Sequence, residues 1–332
     1  MPELRKDPVT DRWVIISSDR GSRPIEAVEF KEKNKKNLSP FAAGNEAMTP
    51  PEIFAIRESN SAANSLGWSL RVIPNKYPAL KVEGDLSRQG EGIFDMMNGI
   101  GAHEVIIETP DPLKDFVDLD NNAIRDIFRV FKERILDLKK DIRLKYAIVF
   151  KNKGFAAGAS LEHSHSQLIA TPIIPKTVAE ELEGAKSYYQ LKERCIFCDI
   201  IRQEIKDNVR VVFEEELFVA IEPFAPRFPF ETWVLPKKHA SHYETINDDH
   251  ILHLAITAKT VLQKINVALQ SPAYNFVIHT APMQEKPMND YHWHLELMPK
   301  LTNVAGFEWG TGFYINHTSP EEAARYLKEI TV

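Results

Sequence analysis

The chain has 332 residues, 43% of them hydrophobic and 27% charged, which is typical of a soluble globular protein with about two domains. Its net charge of -6 gives no overall basic field, so neither nucleic acid nor a membrane is expected as a partner. The N-terminus lacks the apolar core of a signal peptide, no apolar run approaches the length of a membrane helix, and the only cysteines are Cys195 and Cys198. These features exclude a disulfide framework and predict a cytoplasmic protein.

The first half reads as alternating loop, strand and helix segments. Hydrophobic residues with helical spacing between positions 120 and 140 predict an amphipathic helix, with Asp120 or Asn121 as its N-cap. Short apolar runs of strand length flank this helix. In chain order, the other predicted elements are a loop at 31–51, a strand at 103–108, a strand at 146–150, a loop at 153–160 and a strand around 163–167.

A charged connecting helix is predicted at 175–194 from its charged residues Glu180, Glu181, Glu183, Lys186, Lys192 and Glu193. We place the domain boundary in this segment. The sequence then divides into a first domain at 1–178 and a second at 179–332.

The second half repeats the order of the first. A second helical stripe follows the cap candidates Asn247 and Asp248, and a strand at 274–278 leads through a Pro-containing loop to a second His-x-His string at 292–296. Tyr146 lies 19 positions before His165, and Tyr274 lies 20 positions before His294. This agreement in order and spacing predicts two copies of one α+β unit.

The string His163-Ser-His165-Ser-Gln167 suits attack on phosphorus. Alternate residues of a strand point to one face, so two imidazoles and an amide are directed to one spot. A neutral imidazole can attack phosphorus and leave again, and Gln167 can donate to a developing phosphoryl oxygen. Ser160 and the backbone N–H groups of Gly154 and Gly158 could bind further oxygens. Alone, His-x-His fits metal binding or incidental surface histidines equally well; the adjoining Asn152-Lys153-Gly154 favours a phosphate site.

The pair Cys195-x-x-Cys198 predicts a tetrahedral zinc site closed by two histidines from elsewhere. His239 and His292 are the best candidates, because both fall at matching corners of the second repeat. The alternative is a pair of buried or redox-active thiols.

At this point the sequence resembles a known family. Residues 150–167 resemble the active-site stretch of the galactose-1-phosphate uridylyltransferase family, which belongs to the histidine-triad superfamily. The similarity covers nearly the whole chain. It continues at 5–14, 20–24, 74–79, 101–105, 230–233, 236–239 and 306–308.

The resemblance implies an α+β fold of two tandem histidine-triad-like domains, each an antiparallel sheet with packed helices. It implies that His165 attacks the α-phosphorus of a nucleoside-diphosphate sugar, that Gln167 holds the transferring phosphoryl group, and that a hexose 1-phosphate then accepts the nucleotidyl group. Arg20 and Arg23 would reach a neighbouring subunit's site, which implies a homodimer. The implied nucleotide and sugar contacts are Asn75, Asn152, Ser160, Phe307 and Glu308.

Local cations offer further contacts to a diphosphate. Several lie within the segments that carry the resemblance, and Lys153, between Asn152 and Gly154, is the best candidate. The others are Arg12, Arg20, Arg23, Lys76 and Lys151.

The sequence departs from the family at a first metal site. Many members carry Cys-Pro-x-Cys where this chain has Ser39 and Ala42. Histidines without thiolates make a poor zinc site, so we expect no metal there, with His103 and His163 forming hydrogen bonds instead. Some members bind iron through a glutamate of the connecting helix, here Glu181, but the two cysteines favour zinc, at one ion per chain.

The second copy of the string, His292-Trp-His294-Leu-Glu296, could form a second active site. We prefer a structural strand beside the zinc, because no Asn-Lys-Gly precedes it. Other histidines, His279 among them, carry no convergent signal.

Three functions compete. The first is UDP-glucose–hexose-1-phosphate uridylyltransferase. The second is an ADP-glucose phosphorylase, in which phosphate accepts AMP. Two features favour that branch of the family: Ser166 in place of glycine, and the segment 306–312. The third is a non-catalytic histidine-triad nucleotide-binding protein, which the intact His165 and Gln167 disfavour.

Overall fold

The computed structural model describes residues 2–17 and 39–332. A small sheet joins the two ends of the described chain. Strands β1 (Glu3–Lys6) and β2 (Trp13–Ile16) pair antiparallel, and β15 (Tyr314–Asn316) runs parallel to β2. Arg20 and Arg23 lie outside the described residues.

A ten-stranded sheet, antiparallel throughout, forms the centre of the molecule. The first half contributes five strands. These are β3 (Phe54–Arg57), β4 (Trp68–Pro74), β7 (Ala102–Ile107), β8 (Tyr146–Lys153) and β9 (His165–Thr171); β5 (Gln89–Glu91) and β6 (Phe94–Met96) form a separate exposed hairpin.

The second half contributes the other five strands. They are β10 (Val211–Glu214), β11 (Phe218–Ile221), β12 (Thr232–Pro236), β13 (Tyr274–His279) and β14 (His294–Pro299). The order across the sheet is β10-β11-β12-β14-β13-β8-β9-β7-β4-β3. Each predicted unit therefore has its antiparallel sheet, and the pairing of β13 with β8 joins the two sheets into one.

Two long helices, α1 (Asn121–Leu138) and α4 (Asp248–Leu269), pack against each other over one face of this sheet. Both predicted N-caps are confirmed. The Asp120 carboxylate accepts from the N–H groups of Asn122 and Ala123, and the Asn247 side chain accepts from the His250 N–H. The helical stripes bury their apolar residues in one core that spans both halves.

The connecting helix α2 (Lys176–Lys192) lies close to its predicted bounds and leads into α3 (Ile196–Asp207). These helices cover the other face of the second half: along β11, Phe218 packs toward the α1/α4 core and Val219 toward the α2/α3 core. The predicted boundary at 178/179 falls inside α2. The short α5 (Gly306–Thr311) and α6 (Pro320–Glu329) complete the fold, and no helix among the described residues is long and apolar enough to cross a membrane.

The α+β class and the duplication are thus confirmed. In the first half, the face of the sheet opposite α1 and α4 carries, among residues 2–17 and 39–175, a small apolar cluster with Phe41 and Trp68. That thinner layer leaves room for a site above β8 and β9.

Candidate active site and metal centre

Strand alternation places His165 and Gln167 on the open face of the first half. Leu168 and Ala170 of β9 pack into the α1/α4 core. Because successive side chains of a strand point to opposite faces, His165 and Gln167 point away from that core. On the neighbouring strand β8, Asn152 shares this open face, because Phe150 pairs with Gln167. The structure therefore brings these three predicted residues together.

The His165 imidazole is held in one orientation. Its Nδ1 lies 2.7 Å from the carbonyl oxygen of His163, and only a protonated Nδ1 can donate to a carbonyl. The lone pair is therefore on Nε2. The Phe41 ring packs edge-on at 5.3 Å, and the side chain is almost fully buried.

Burial lowers the pKa of His165 below its ordinary 6.5; the hydrogen bond to His163 opposes this, and the Lys151 charge adds to it. The imidazole thus stays neutral and nucleophilic at neutral pH. We expect kcat/KM to fall on the acid side with a midpoint below pH 6.5, because the nucleophile loses its lone pair only there. A rate profile from about pH 4.5 to 8 tests this; a midpoint above 6.5 contradicts it.

Gln167 is oriented by His103. The backbone N–H of Ala79 donates to His103 Nδ1 at 3.2 Å, so Nε2 carries the proton and donates to Gln167 Oε1 at 2.9 Å. With its oxygen engaged, Gln167 directs its amide N–H groups away from His103. Asn75 lies beside this pair, with its Nδ2 at 3.1 Å from His103 Nε2; because both atoms are donors, this approach is not a second hydrogen bond.

The second half of the chain orients Asn152. Asn275 on β13 donates through Nδ2 to Asn152 Oδ1 at 2.8 Å and to the Ala157 carbonyl at 2.9 Å. Sequence reasoning missed Asn275, since its contact depends on the pairing of strands from different halves. The contact fixes both the side chain and the loop that follows β8.

That loop turns back on itself: the Gly158 N–H, predicted as a phosphate donor, donates to the Phe155 carbonyl at 2.9 Å. Gly158 sits in the left-handed region at φ +84°, after a single 3-10 turn at Phe155–Ala157. Gly154 has φ +79°, and a Cβ there would lie 2.8 Å from Ala273 Cβ, so only glycine fits. Ser160 is exposed at the end of this loop.

The predicted cations take different environments. Lys153 Nζ pairs with the Asp115 carboxylate at 2.8 Å, and Lys76 is exposed. Lys151 is buried and faces the helix side of the sheet, where it pairs with Glu108 at 2.6 Å. Lys153 points to the same side, over the ring of the core residue Tyr274. The interpretation of Lys151 and Lys153 as diphosphate contacts was therefore wrong.

Phe307 and Glu308 do not lie on the large sheet. They belong to α5, which contacts β15 of the small sheet. Phe307 is half exposed, and Glu308 accepts from the Ala305 N–H to cap its own helix.

The first-half positions Ser39, His103 and His163 do not form one site. His163 Nδ1 lies 2.9 Å from Ser39 Oγ and its Nε2 lies 2.7 Å from the Thr109 carbonyl, whereas His103 contacts Asn75 and Gln167. His103 and Thr109 are six positions apart along β7 and its continuation, about 20 Å at strand spacing. The hydrogen bonding of both histidines is confirmed; their assignment to a common ancestral metal site was wrong.

The four predicted metal ligands do converge. The thiols of Cys195 and Cys198, at the start of α3, lie with His239 and His292 such that all ligand atoms are within 4.8 Å of one another. Nδ1 of His239 is 3.4 Å and Nδ1 of His292 is 3.6 Å from Cys198 Sγ. Ligands of tetrahedral zinc with ordinary bond lengths lie about 3.6 Å apart, so the spacing fits.

The outer contacts of the two histidines suit metal binding. His239 Nε2 donates to the Met288 carbonyl at 3.0 Å and His292 Nε2 to the Pro236 carbonyl at 2.9 Å. Each Nδ1 lone pair is thereby directed at the thiols. The residues present thus fit a closed four-ligand site.

A second cluster lies beside it, on the face of the second half that α2 and α3 cover. Glu181 of α2 lies 2.9 Å from His279 Nδ1, and the His279 ring stacks on His294 at 5.0 Å. The three residues form a second group whose geometry could hold a metal. His279 was expected to carry no convergent signal, which was wrong, because Glu181 reaches it from a helix far away in sequence.

Glu296, the counterpart of Gln167, pairs with the partly buried Arg227 at 2.5 Å. The amide of Gln167 is thus replaced by a carboxylate that is already bound to a cation. This supports a structural role for the second string.

Two family models match the chain. One, described as galactose-1-phosphate uridyl transferase, N-terminal domain, covers residues 1–175, and the corresponding C-terminal domain covers 181–330. The chain belongs to the galactose-1-phosphate uridylyltransferase family. Enzymes of this family are nucleotidyltransferases, and so is this chain.

Individual relatives within the family cover the whole chain. An ADP-glucose phosphorylase of Arabidopsis thaliana is 39% identical over 100% of this chain and 93% of the relative, and a galactose-1-phosphate uridylyltransferase of Thermotoga maritima is 30% identical over 100% and 99%. The crystal structure of an Arabidopsis thaliana ADP-glucose phosphorylase with bound ADP-glucose superposes with a TM-score of 0.86 at 38% identity, covering both chains completely.

Proposed function

We propose that the chain transfers a nucleotidyl group from a nucleoside-diphosphate sugar to a phosphate-bearing acceptor through His165. The observation that carries this is the neutral His165 imidazole, held at Nδ1 by the His163 carbonyl, on the same face as Gln167 and Asn152. A nucleophile needs a fixed lone pair and donors for the developing charge, and both are present.

In the first step Nε2 of His165 bonds to the α-phosphorus, and the bond from that phosphorus to the bridging oxygen breaks. Sugar 1-phosphate leaves with the electron pair. In the second step a phosphate oxygen of the acceptor forms a bond to the same phosphorus while the phosphorus–nitrogen bond breaks. The His163 carbonyl stabilises the positive charge that the ring carries between these steps.

The first candidate reaction is UDP-glucose–hexose-1-phosphate uridylyl transfer. Both family models and the Thermotoga maritima relative support it. Gln167 and Asn152 would bind the transferring phosphoryl group, the Gly154–Gly158 loop and Ser160 would bind neighbouring oxygens, and Asn75, Lys76, Phe307 and Glu308 would contact nucleotide or sugar.

The second candidate is ADP-glucose phosphorolysis, with inorganic phosphate as the acceptor. A specific observation favours it: the relative named ADP-glucose phosphorylase is 39% identical and matches the whole chain. The same two chemical steps apply, so the two candidate reactions differ only in the nucleotide base of the donor and in the acceptor.

Trapping and chasing the adduct separates the candidates. Enzyme is incubated with UDP-glucose or ADP-glucose labelled in the α-phosphate, the acid-labile protein adduct is counted, and galactose 1-phosphate or phosphate is then added. Label from UDP-glucose released by galactose 1-phosphate supports the uridylyltransferase; label from ADP-glucose released by phosphate supports the phosphorylase. Labelling by neither nucleotide refutes both and leaves the non-catalytic binding protein.

We further propose one zinc ion per chain at Cys195, Cys198, His239 and His292. A site with four protein ligands has no open position, so bound zinc would stabilise the fold rather than act in the reaction. A homodimer in which Arg20 and Arg23 reach the partner's site, a cytoplasmic setting and the 178/179 domain boundary complete the proposal.

A further inference from the structure

We propose that Glu108, Lys151, Ser164 and Ser166 form a buried clamp that positions His165 from the opposite face of the sheet. The inference rests on the proposed role of His165 and adds positioning residues to it. None of the four side chains lies on the open face with Gln167 and Asn152.

The clamp holds three consecutive residues of the chain. Lys151 Nζ donates to the carbonyl oxygen of His165 at 3.1 Å, to Ser164 Oγ at 2.9 Å and to Glu108 Oε2 at 2.6 Å. The two serine hydroxyls then donate to the same carboxylate, Ser164 to Oε2 at 2.6 Å and Ser166 to Oε1 at 2.5 Å. His165 is thus tied at its own carbonyl and at both neighbours.

The clamp stands where the fold would otherwise be apolar. Ile106 on β7, Val149 on β8 and Leu168 on β9 all pack into the α1/α4 core. Glu108, Lys151 and Ser166 lie two positions further along these strands, and their side chains therefore point to the same face. Each is at most 4% exposed. Buried ion pairs generally contribute no more stability than apolar residues of similar volume, so core packing alone does not account for the clamp.

The geometry explains what the clamp does for the reaction. The imidazole is fixed at Nδ1 by the His163 carbonyl, but that bond orients the ring only relative to its own backbone. The clamp fixes that backbone relative to β7 and β8, and β8 carries Asn152. Because attack depends on alignment within about 1 Å, loosening the clamp should slow formation of the adduct by about 100-fold.

The test uses the full-length protein and single-turnover formation of the labelled adduct, with the nucleotide sugar that labels wild type. Glu108→Gln and Lys151→Met remove the ion pair, and Ser166→Ala removes one hydroxyl with little risk to folding. We expect the rate to fall about 100-fold in the first two and about 10-fold in Ser166→Ala, while the Kd for the nucleotide sugar stays within about twofold.

Glu204→Gln is the matched control. Glu204 is 4% exposed and pairs with Arg210 at 2.7 Å in the second half, so its loss also disturbs a buried ion pair. We expect the control to change the rate of adduct formation less than about twofold at a similar loss of thermal stability. A wild-type rate in folded Ser166→Ala and Glu108→Gln, an equal loss in the control, or a loss that appears only in Kd would overturn the clamp. Absence of any adduct in wild type would instead refute the proposed function.

Discussion

Replacing His165 with Asn is expected to abolish nucleotidyl transfer, lowering the rate by roughly six orders of magnitude, as removal of other enzymatic nucleophiles does. Asparagine keeps a polar side chain of similar reach, so the contact with Phe41 and the hydrogen bond to the His163 carbonyl have partial replacements. It has no lone pair able to displace the sugar phosphate. The measurement is the acid-labile adduct together with the steady-state rate.

His163→Asn is the matched control for this experiment. His163 lies two residues away, is equally buried and contacts the same Phe41 ring, but its two ring nitrogens bind Ser39 and Thr109. We expect this variant to retain the adduct at a reduced rate. An adduct of wild-type amount in His165→Asn would refute the nucleophile assignment.

Loss of zinc is the second large effect. Cys198→Ser removes a thiolate that lies 3.4 Å from His239 Nδ1 and 3.6 Å from His292 Nδ1, and we expect zinc to be absent from the purified variant. A metal present at a thousand times its Kd stabilises the native state by about 4 kcal/mol, so the unfolding midpoint should fall by about 5–10 °C. Metal analysis by mass spectrometry and thermal unfolding with and without a chelator measure both effects.

His242→Gln serves as the comparison for the zinc experiment. His242 is as buried as His292 but binds Ser241 and the Pro282 carbonyl and does not belong to the four-ligand group. We expect one zinc per chain in this variant and in wild type. Two metal ions per chain in wild type would refute the single-site proposal and point to Glu181, His279 and His294.

Local patterns in the sequence were enough to predict the two repeats. The hydrophobic stripes of α1 and α4 and their caps, Asp120 and Asn247, depend only on neighbours within a few residues. The convergence of Cys195, Cys198, His239 and His292 could be predicted for a related reason. A Cys-x-x-Cys pair has few uses in such a chain, and the repeat supplied two equivalent positions for the histidines.

Contacts between distant segments could not be predicted in the same way. Asn275 reaches Asn152 only because β13 pairs with β8, and Glu181 reaches His279 only because α2 covers the second half. Glu108 and Lys151 interrupt apolar strands, and each alone resembles a solvated charge. The partner that permits their burial lies 43 positions away.

The order of strands in the large sheet has a consequence for fragments of the chain. Read from the centre outward, β8-β9-β7-β4-β3 on one side matches β13-β14-β12-β11-β10 on the other, so the molecule has internal two-fold pseudosymmetry. Cutting at α2 would leave β8 and β13 as full-length open edges, and such edges recruit strands from other molecules. Either half expressed alone should therefore self-associate through this edge, and a mixture of the two should reassemble the parent sheet.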